Sequence, residues 1–299
     1  MKNIQVLMIN DKTILNDLYR SSLISLLKKK FSIIHSCGLF DSKKSKIFIL
    51  FKILHPKVIV ISSNLRSNIF SLLFFWKKGA VILNGMGIYR KTKLLRVVLL
   101  VLFSLNWKKT ILIQSYADYR FFRIKSKKKY FWIPGSGGHT LKSGPKENFI
   151  LISRDKKIQR VFKSTCEFLK IMKNRRITVV GCNDKKKLKH LFKDYKINIV
   201  DYQHYKNIFL GGGGFVQPSG HGEGFPQSLA HAIVSGLDIY IDTKEFLRYG
   251  LRSLGGEKIF ISSNWCRLSG LTKIAKIIND KEIAKKYFDI ISKNLSYKN

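Results

Sequence analysis

Short apolar runs alternate with longer mixed segments along the first half of this chain. Ile4–Ile9, Ser32–His35, Val58–Ser62, Ala80–Leu83 and Thr110–Gln114 are continuous enough in apolar character to read as strands buried on both faces of a parallel sheet. Between them, Ile14–Leu27, Ser45–Leu54, Asn68–Phe75 and Thr92–Leu105 have helical length and period, an alternation that predicts a doubly wound sheet. The pattern breaks at Ser126–Tyr130 and Pro134–Pro145, where a basic run gives way to glycines and prolines. It then restarts with strand Phe149–Ile152, helix Arg160–Met172, strand Ile177–Val180, helix Lys185–Phe192 and strand Ile197–Val200. After the glycine run Gly211–Gly214 come strand Phe215–Val216, helix Gln227–Gly236, strand Ile239–Ile241 and one or two closing helices in Lys273–Ser296. The expected fold class is α/β, with two doubly wound Rossmann-like domains facing across a cleft. The expected boundaries are 1–144, 145–280, and a helix over 281–299 that packs back toward the N-terminal domain.

Charge changes this picture most. The 299 residues hold 56 Lys+Arg and 18 Asp+Glu, a formal charge of +38, while 45% of positions are hydrophobic, so a disordered basic tail is excluded. Residues 1–150 carry 28 Lys+Arg but only Asp11, Asp17, Asp41, Asp118 and Glu147 as carboxylates, too few for a site of several acidic metal ligands. A field this positive implies anionic partners: phosphorylated small molecules, an anionic membrane surface or nucleic acid. Cys37, Cys166, Cys182 and Cys266 form no C-x-x-C pair and read as reduced thiols. Met1–Asn10 runs into a strand pattern without a charged leader, which points to the cytoplasm. The apolar stretch Val97–Leu105 falls far short of the roughly 20 residues a spanning helix needs. Leu72–Trp76 before Lys77-Lys78, and Val97–Trp107 before Lys108-Lys109, join bulky apolar groups to cations, a pairing that suits peripheral attachment to an anionic membrane.

The segment Pro218–Ala232 carries the most chemistry. Its glycines, Gly220, Gly222 and Gly224, lead through Phe225-Pro226 into a helix opening at Gln227-Ser228, which aims free N–H groups and the positive dipole end at a bound anion such as a diphosphate. Glu223 in that loop suits hydrogen bonds from ligand hydroxyls, and His221 is a candidate ligand contact.

This segment resembles the signature of the GT-B glycosyltransferases of family 4, in which Pro-Ser…Glu-Gly-Phe-Pro begins a pair of glutamates with seven residues between them. Glu223 fills the first position and His231 stands in the second. The resemblance implies that Glu223 contacts the donor sugar and that position 231 meets the nucleotide ribose. With histidine there, either the donor differs or catalysis is weakened. Phe149–Arg154 followed by Lys156-Lys157 resembles the family's strand-then-Arg…Lys element, which implies that Arg154 with Lys156 or Lys157 binds the donor diphosphate and neutralises it as it leaves. Ile177–Gly181 resembles the next strand with its glycine turn. In the first half, Asn84-Gly85-Met86-Gly87-Ile88-Tyr89 resembles the acceptor loop of the branch that extends lipid-linked, lipopolysaccharide, O-antigen or capsule glycans. Gln114 with Asp118, and Pro134–Gly137 with Ser136, resemble two further elements of that branch, although Gly138-His139 replaces its usual Val-Asp.

The implied enzyme transfers a sugar from a nucleotide-sugar with retention of configuration to a lipid-linked or cell-surface glycan at the cytoplasmic membrane face. It needs no metal or other cofactor, and Asp118 is the only carboxylate near a matched first-half motif that could act as a base. Two other readings compete. One is a glycosyltransferase-like partner subunit that has lost activity, suggested by His231 and Gly138-His139. The other is a nucleic-acid-binding protein, for which Tyr119–Tyr130 is the sole aromatic-basic segment, so no nucleic-acid partner is expected.

Overall fold

A computed structural model describes residues 4–86, 89, 92–173, 175–201, 205–222 and 224–296, and the chain forms two compact units. Unit 1 comprises the described residues up to Gly137, Gly224–Phe225, and the segment from Asp280 onward. Its elements are β1 (Gln5–Asn10), α1 (Thr13–Lys30), β2 (Ile33–Gly38), α2 (Lys43–Leu54), β3 (Val58–Ser63), α3 (Leu65–Leu72), β4 (Gly79–Leu83), α4 (Lys93–Leu105), β5 (Lys109–Ile113), α5 (Tyr116–Lys125) and β6 (Tyr130–Trp132). Unit 2 holds β7 (Phe149–Ile152), α6 (Asp155–Ile171), β8 (Ile177–Val180), α7 (Lys185–Leu191), β9 (Ile197–Val200), β10 (Gly214–Gln217), α8 (Gln227–Val234), β11 (Asp238–Asp242), α9 (Thr243–Arg248), β12 (Glu257–Phe260), β13 (Trp265–Ser269) and α10 (Leu271–Ile278). The last helix, α11 (Asp280–Ser296), belongs to unit 1.

Unit 1 is a six-stranded parallel sheet in the order β2-β1-β3-β4-β5-β6. Alternate residues of each strand face opposite layers. Val6, Met8, Ile59, Ile61, Ala80 and Ile82 pack with Leu23 and Leu27 of α1 and with Ile283, Tyr287 and Ile291 of α11, whose spacing makes one helical stripe. The other face packs Leu7, Ile9, Val58 and Val60 on Ile49 and Ile53 of α2, and Val81, Leu83, Ile111 and Ile113 on Leu99 and Phe103 of α4 and Phe122 of α5. Thus α2 to α5 form a single layer.

Part of the positive charge is structural. Three helices of that layer end on lysines, Lys77 and Lys109 buried and Lys128 half-buried, whose ammonium groups meet the carbonyls a helix leaves unpaired at its negative end. Lys77 Nζ donates to Leu54 O and His55 O (3.4 and 2.8 Å) past α2, and Lys109 Nζ to Phe74 O and Asn106 Oδ1 (both 2.6 Å) past α3. Lys128 Nζ donates to Phe103 O (2.7 Å) and Asn106 O past α4. Burial, with Lys128 nearby, lowers Lys109 to about 7, and burial lowers Lys128 to about 8.

The outward side of the same layer is apolar and basic together. Ile47, Phe51 and Leu54 on α2, Leu94, Val97, Val101 and Leu105 on α4, and Phe75, Trp76 and Trp107 at the following turns are exposed, Phe51 by 71% and Trp107 by 65%. From Ser42 to Ala117 the sequence has 14 Lys+Arg and no Asp or Glu. No described helix is long and apolar enough to cross a membrane.

Unit 2 is a seven-stranded sheet, β12-β13-β11-β10-β7-β8-β9, parallel except where β13 pairs antiparallel with β11 and β12. Phe149, Leu151, Val179 and Val216 pack on Val161 and Phe168 of α6, with the Phe168 ring 4.8 Å from that of Trp265. Helix α6 begins at Asp155, ahead of the apolar period that starts at Ile158, because its first turn is polar. The hairpin β12–β13 escapes sequence reading because β12 is short and mostly exposed. The basic run Tyr119–Tyr130 is the end of α5, a turn and the start of β6, with Phe122 in the core. Asn279, extended at φ −63° and ψ 154°, separates α10 from α11, so the closing region is two helices.

Candidate functional site

In unit 2 the strand order reverses between β7 and β10, and loops at the carboxyl ends of strands flanking such a reversal are where open α/β sheets bind ligands. Both of the chain's strongest motifs lie there. Past β7, Ser153 donates its N–H to Val180 O (3.0 Å) and Arg154 is the N-cap of α6. Lys156 and Lys157 occupy the first turn. Cations at this end oppose the helix dipole, so the site favours a bound anion electrostatically. The neighbouring Asp155 is used elsewhere, its carboxylate accepting the N–H groups of Asn183 (3.0 and 3.2 Å) and Asp184 (3.3 Å).

Past β10 the loop Pro218–Gly222 is tied down onto α6. Ser219 N–H donates to Ser164 Oγ (3.2 Å), and Ser164 Oγ donates to Asp242 Oδ2 (3.0 Å). Gly220, at φ +105°, lies so close to α6 that a Cβ would sit 2.5 Å from Arg160 O, which excludes any other residue. Gly222 is also left-handed (φ +71°), and His221 is buried. Gly181, past β8, has φ +93°. Pro226 is the N-cap of α8, with Gln227 and Ser228 in its first turn.

His231 lies in the second turn of α8 and is 8% exposed. Its Nδ1 accepts the backbone N–H of His139 (2.9 Å), and the two imidazoles stack at 5.5 Å between centroids. Burial, with His139 beside it, lowers its pKa to about 4. The ring is therefore neutral at physiological pH, with its proton on Nε2, 3.3 Å from Gln227 Nε2. One ring nitrogen thus holds the chain entering unit 2, and the other lies beside Gln227.

In unit 1 the reversal lies between β1 and β3. Asn84, Gln114 and Ser136 follow β4, β5 and β6, and all three join one network. Gln114 Nε2 donates to Gly135 O (2.8 Å) and lies within bonding distance of Ser136 Oγ (3.2 Å) and Tyr287 Oη (3.0 Å). At its centre is Arg20, which sequence reading missed: Nη2 donates to Asn84 Oδ1 (2.9 Å), Nη1 to Ser136 Oγ (3.0 Å) and Nε to Ser63 Oγ (3.4 Å). The available signal was its spacing, since Asn16, Arg20, Leu23 and Leu27 are the buried face of α1. Gly85 sits beside Asn84 with φ +143°, and Tyr89 is exposed. Gly224 packs here, where a Cβ would lie 1.8 Å from Asn84 O, and Phe225 lies against Gly135. Asp118 is buried in the first turn of α5 with Oδ2 accepting Met86 N–H (3.4 Å), an anchor for the loop after β4 rather than an exposed base. Glu223 and Gly87 lie outside the described residues.

No protein-family model matches the sequence, and neither does any curated protein. Among solved structures the chain is similar to a glycosyltransferase from Rickettsia africae, with TM-score 0.57, 11% identity and 100% of each chain covered. It is equally similar to a UDP-GlcNAc 2-epimerase from Methanocaldococcus jannaschii, with TM-score 0.57, 10% identity and 98% and 100% covered. A third is the UDP-GlcNAc 2-epimerase from Neisseria meningitidis bound to UDP-GlcNAc, with TM-score 0.52, 11% identity and 98% and 99% covered. Identities this low carry the fold alone, that of GT-B-type proteins with two Rossmann-like units.

Proposed function

We propose that this chain is a glycosyltransferase of the family-4 type. It takes a sugar from a nucleotide-sugar held by unit 2 and passes it, with retention of configuration, to a lipid-linked or cell-surface glycan held by unit 1. The observation that carries the reading is that Arg154, Lys156 and Lys157 follow β7 and the loop Pro218–Gly222 follows β10, the two strands that flank one switch point. Three cations and two sets of turn or helix N–H groups there suit a diphosphate, and they stabilise it most as charge builds up in departure. The leaving diphosphate takes the acceptor proton, since the first half offers few carboxylates and Asp118 is engaged with the backbone. Arg154 and Lys157 supply the positive charge that a metal supplies in other enzymes. Glu223 accepts hydrogen bonds from the sugar hydroxyls.

The outward side of α2 and α4 supports a position on the inner face of the cytoplasmic membrane. Its aliphatic stripes and aromatic groups suit the acyl boundary, and its unopposed lysines suit anionic headgroups. Incubation with UDP-, GDP- and CMP-sugars, with and without a membrane lipid extract, tests the function. Nucleotide release that depends on the extract is expected. Conversion of UDP-GlcNAc to its epimer without the extract would replace the transferase by an epimerase. Thermal stabilisation by duplex DNA and by no nucleotide would reject both.

A further inference from the structure

Arg20 is 2% exposed, yet its guanidinium meets only neutral groups: Asn84 Oδ1, Ser136 Oγ, Ser63 Oγ, Tyr19 O (3.5 Å) and the Tyr287 ring face at 5.1 Å. Among the described residues no carboxylate pairs with it. Arginine stays protonated even where burial disfavours the charge, so among the described residues of unit 1 this enclosed cation has no anionic counterpart. The cation lies at the switch point between β1 and β3, against the ends of β3 and β4.

The groups around it are polarised in one direction. Because Arg20 only donates, it fixes the Asn84 amide with its oxygen inward, and Asn84 Nδ2 donates to Asn64 Oδ1 (2.5 Å). Asn64 Nδ2 donates to Asn10 Oδ1 (2.5 Å) and Asn10 Nδ2 to Asn16 Oδ1 (3.0 Å). Asn64 holds its place at φ +70°, a conformation non-glycine residues seldom adopt and one that concentrates at ligand sites. Ser136 Oγ receives Arg20 and faces Gln114 Nε2, so its lone pairs are taken and its own proton is left to donate. Ser136, Asn64 and Asn84 are each partly exposed. Acceptor oxygens are thus consumed inside, and what the edge offers is donors.

We infer that the switch point of unit 1 is an oxyanion site, where Ser136 and Asn84 donate to a phosphate or carboxylate group and Arg20 positions and polarises both. This rests on the reading that unit 1 holds the acceptor, and it makes that acceptor anionic at this point. Arg20 is a positioning residue here, since its own nitrogens are enclosed.

The test follows Arg20 directly, by the Nε–H resonance in protein isotope-labelled at arginine side chains and identified by its loss in Arg20→Lys. Arg154→Ala and Lys157→Ala are present throughout, so that anions in unit 2 do not contribute. Inorganic pyrophosphate and glucuronate are titrated separately, and the one that saturates at lower concentration identifies phosphate or carboxylate as the group. One of them is expected to shift the resonance, glucose is expected not to, and Ser136→Ala is expected to weaken the response about tenfold. A resonance unmoved by both anions, moved equally by glucose, or unaffected by Ser136→Ala overturns the site. If Arg20 responds as expected while no nucleotide-sugar is turned over by the unaltered protein, the transferase reading fails and the oxyanion site stands.

Discussion

Lowering the pH should loosen unit 2 through one histidine. His231 is neutral in the fold with a pKa of about 4, against 6.5 for an ordinary imidazole. A folded value below the unfolded one means that above pH 6.5 the contribution is fully present. As pH falls from 6.5 toward 4 the unfolded chain binds the proton first, and stability is lost. At about 1.4 kcal/mol per pH unit, the loss approaches about 3 kcal/mol, or roughly 6–12 °C in midpoint for a unit of this size. His231→Gln keeps an oxygen that can accept the His139 N–H but cannot titrate, so its stability should stay nearly flat from pH 7 to 4. His231→Leu orphans that N–H and should cost about 1–3 kcal/mol at every pH, also without the slope. Trp265 is the only tryptophan in the unit 2 sequence, so urea unfolding followed by its fluorescence, with Trp76, Trp107 and Trp132 replaced by Phe, reports this unit alone. Equal pH slopes for the parent protein and His231→Gln would refute the reasoning.

Arg154→Ala and Lys157→Ala, made singly, should each weaken nucleotide-sugar binding about tenfold or more in calorimetry, with the melting temperature unchanged. Lys109, held at about 7 against an ordinary 10.5, leaves the unfolded chain binding more protons in that window, so unit 1 should gain about 1–3 kcal/mol as pH rises from 7 toward 10. Lys109→Met should reduce that rise in denaturant titrations, leaving the smaller share from Lys128. Replacing Phe51, Val101 and Trp107 together by Ser should reduce sedimentation with vesicles rich in phosphatidylglycerol by about tenfold or more, while leaving donor binding intact.

The fold was legible because the buried strands of both sheets are continuous apolar runs, and their alternation with helices has few other solutions. The parts that were not legible have local causes. The three-residue β6 is too short to show a period, and the first turn of α6 is polar, which hid that Arg154 is a helix cap rather than a loop residue. Arg20 escapes sequence reading because α1 buries Asn16 and Arg20 in line with Leu23 and Leu27 while exposing Ile14 and Leu18, against the order of hydrophobicity. Asn84 and Ser136 were singled out by a resemblance, but the cation that bonds both is more than sixty positions away in sequence from Asn84. At position 231 the resemblance implies only that histidine stands where the family-4 signature has glutamate. That Nδ1 is committed to His139 is a property of packing, invisible to spacing.

The central claim is that a diphosphate binds at the switch point of unit 2. Hydrogen exchange of the full chain with and without a nucleotide-sugar tests it most directly, because backbone amides at a helix N-terminus and in a glycine loop exchange readily until a ligand accepts from them. Slowed exchange over residues 154–156 and 220–222, lost in Arg154→Ala, is the predicted result. Slowed exchange confined to unit 1, or none at all at saturating nucleotide-sugar, would contradict it.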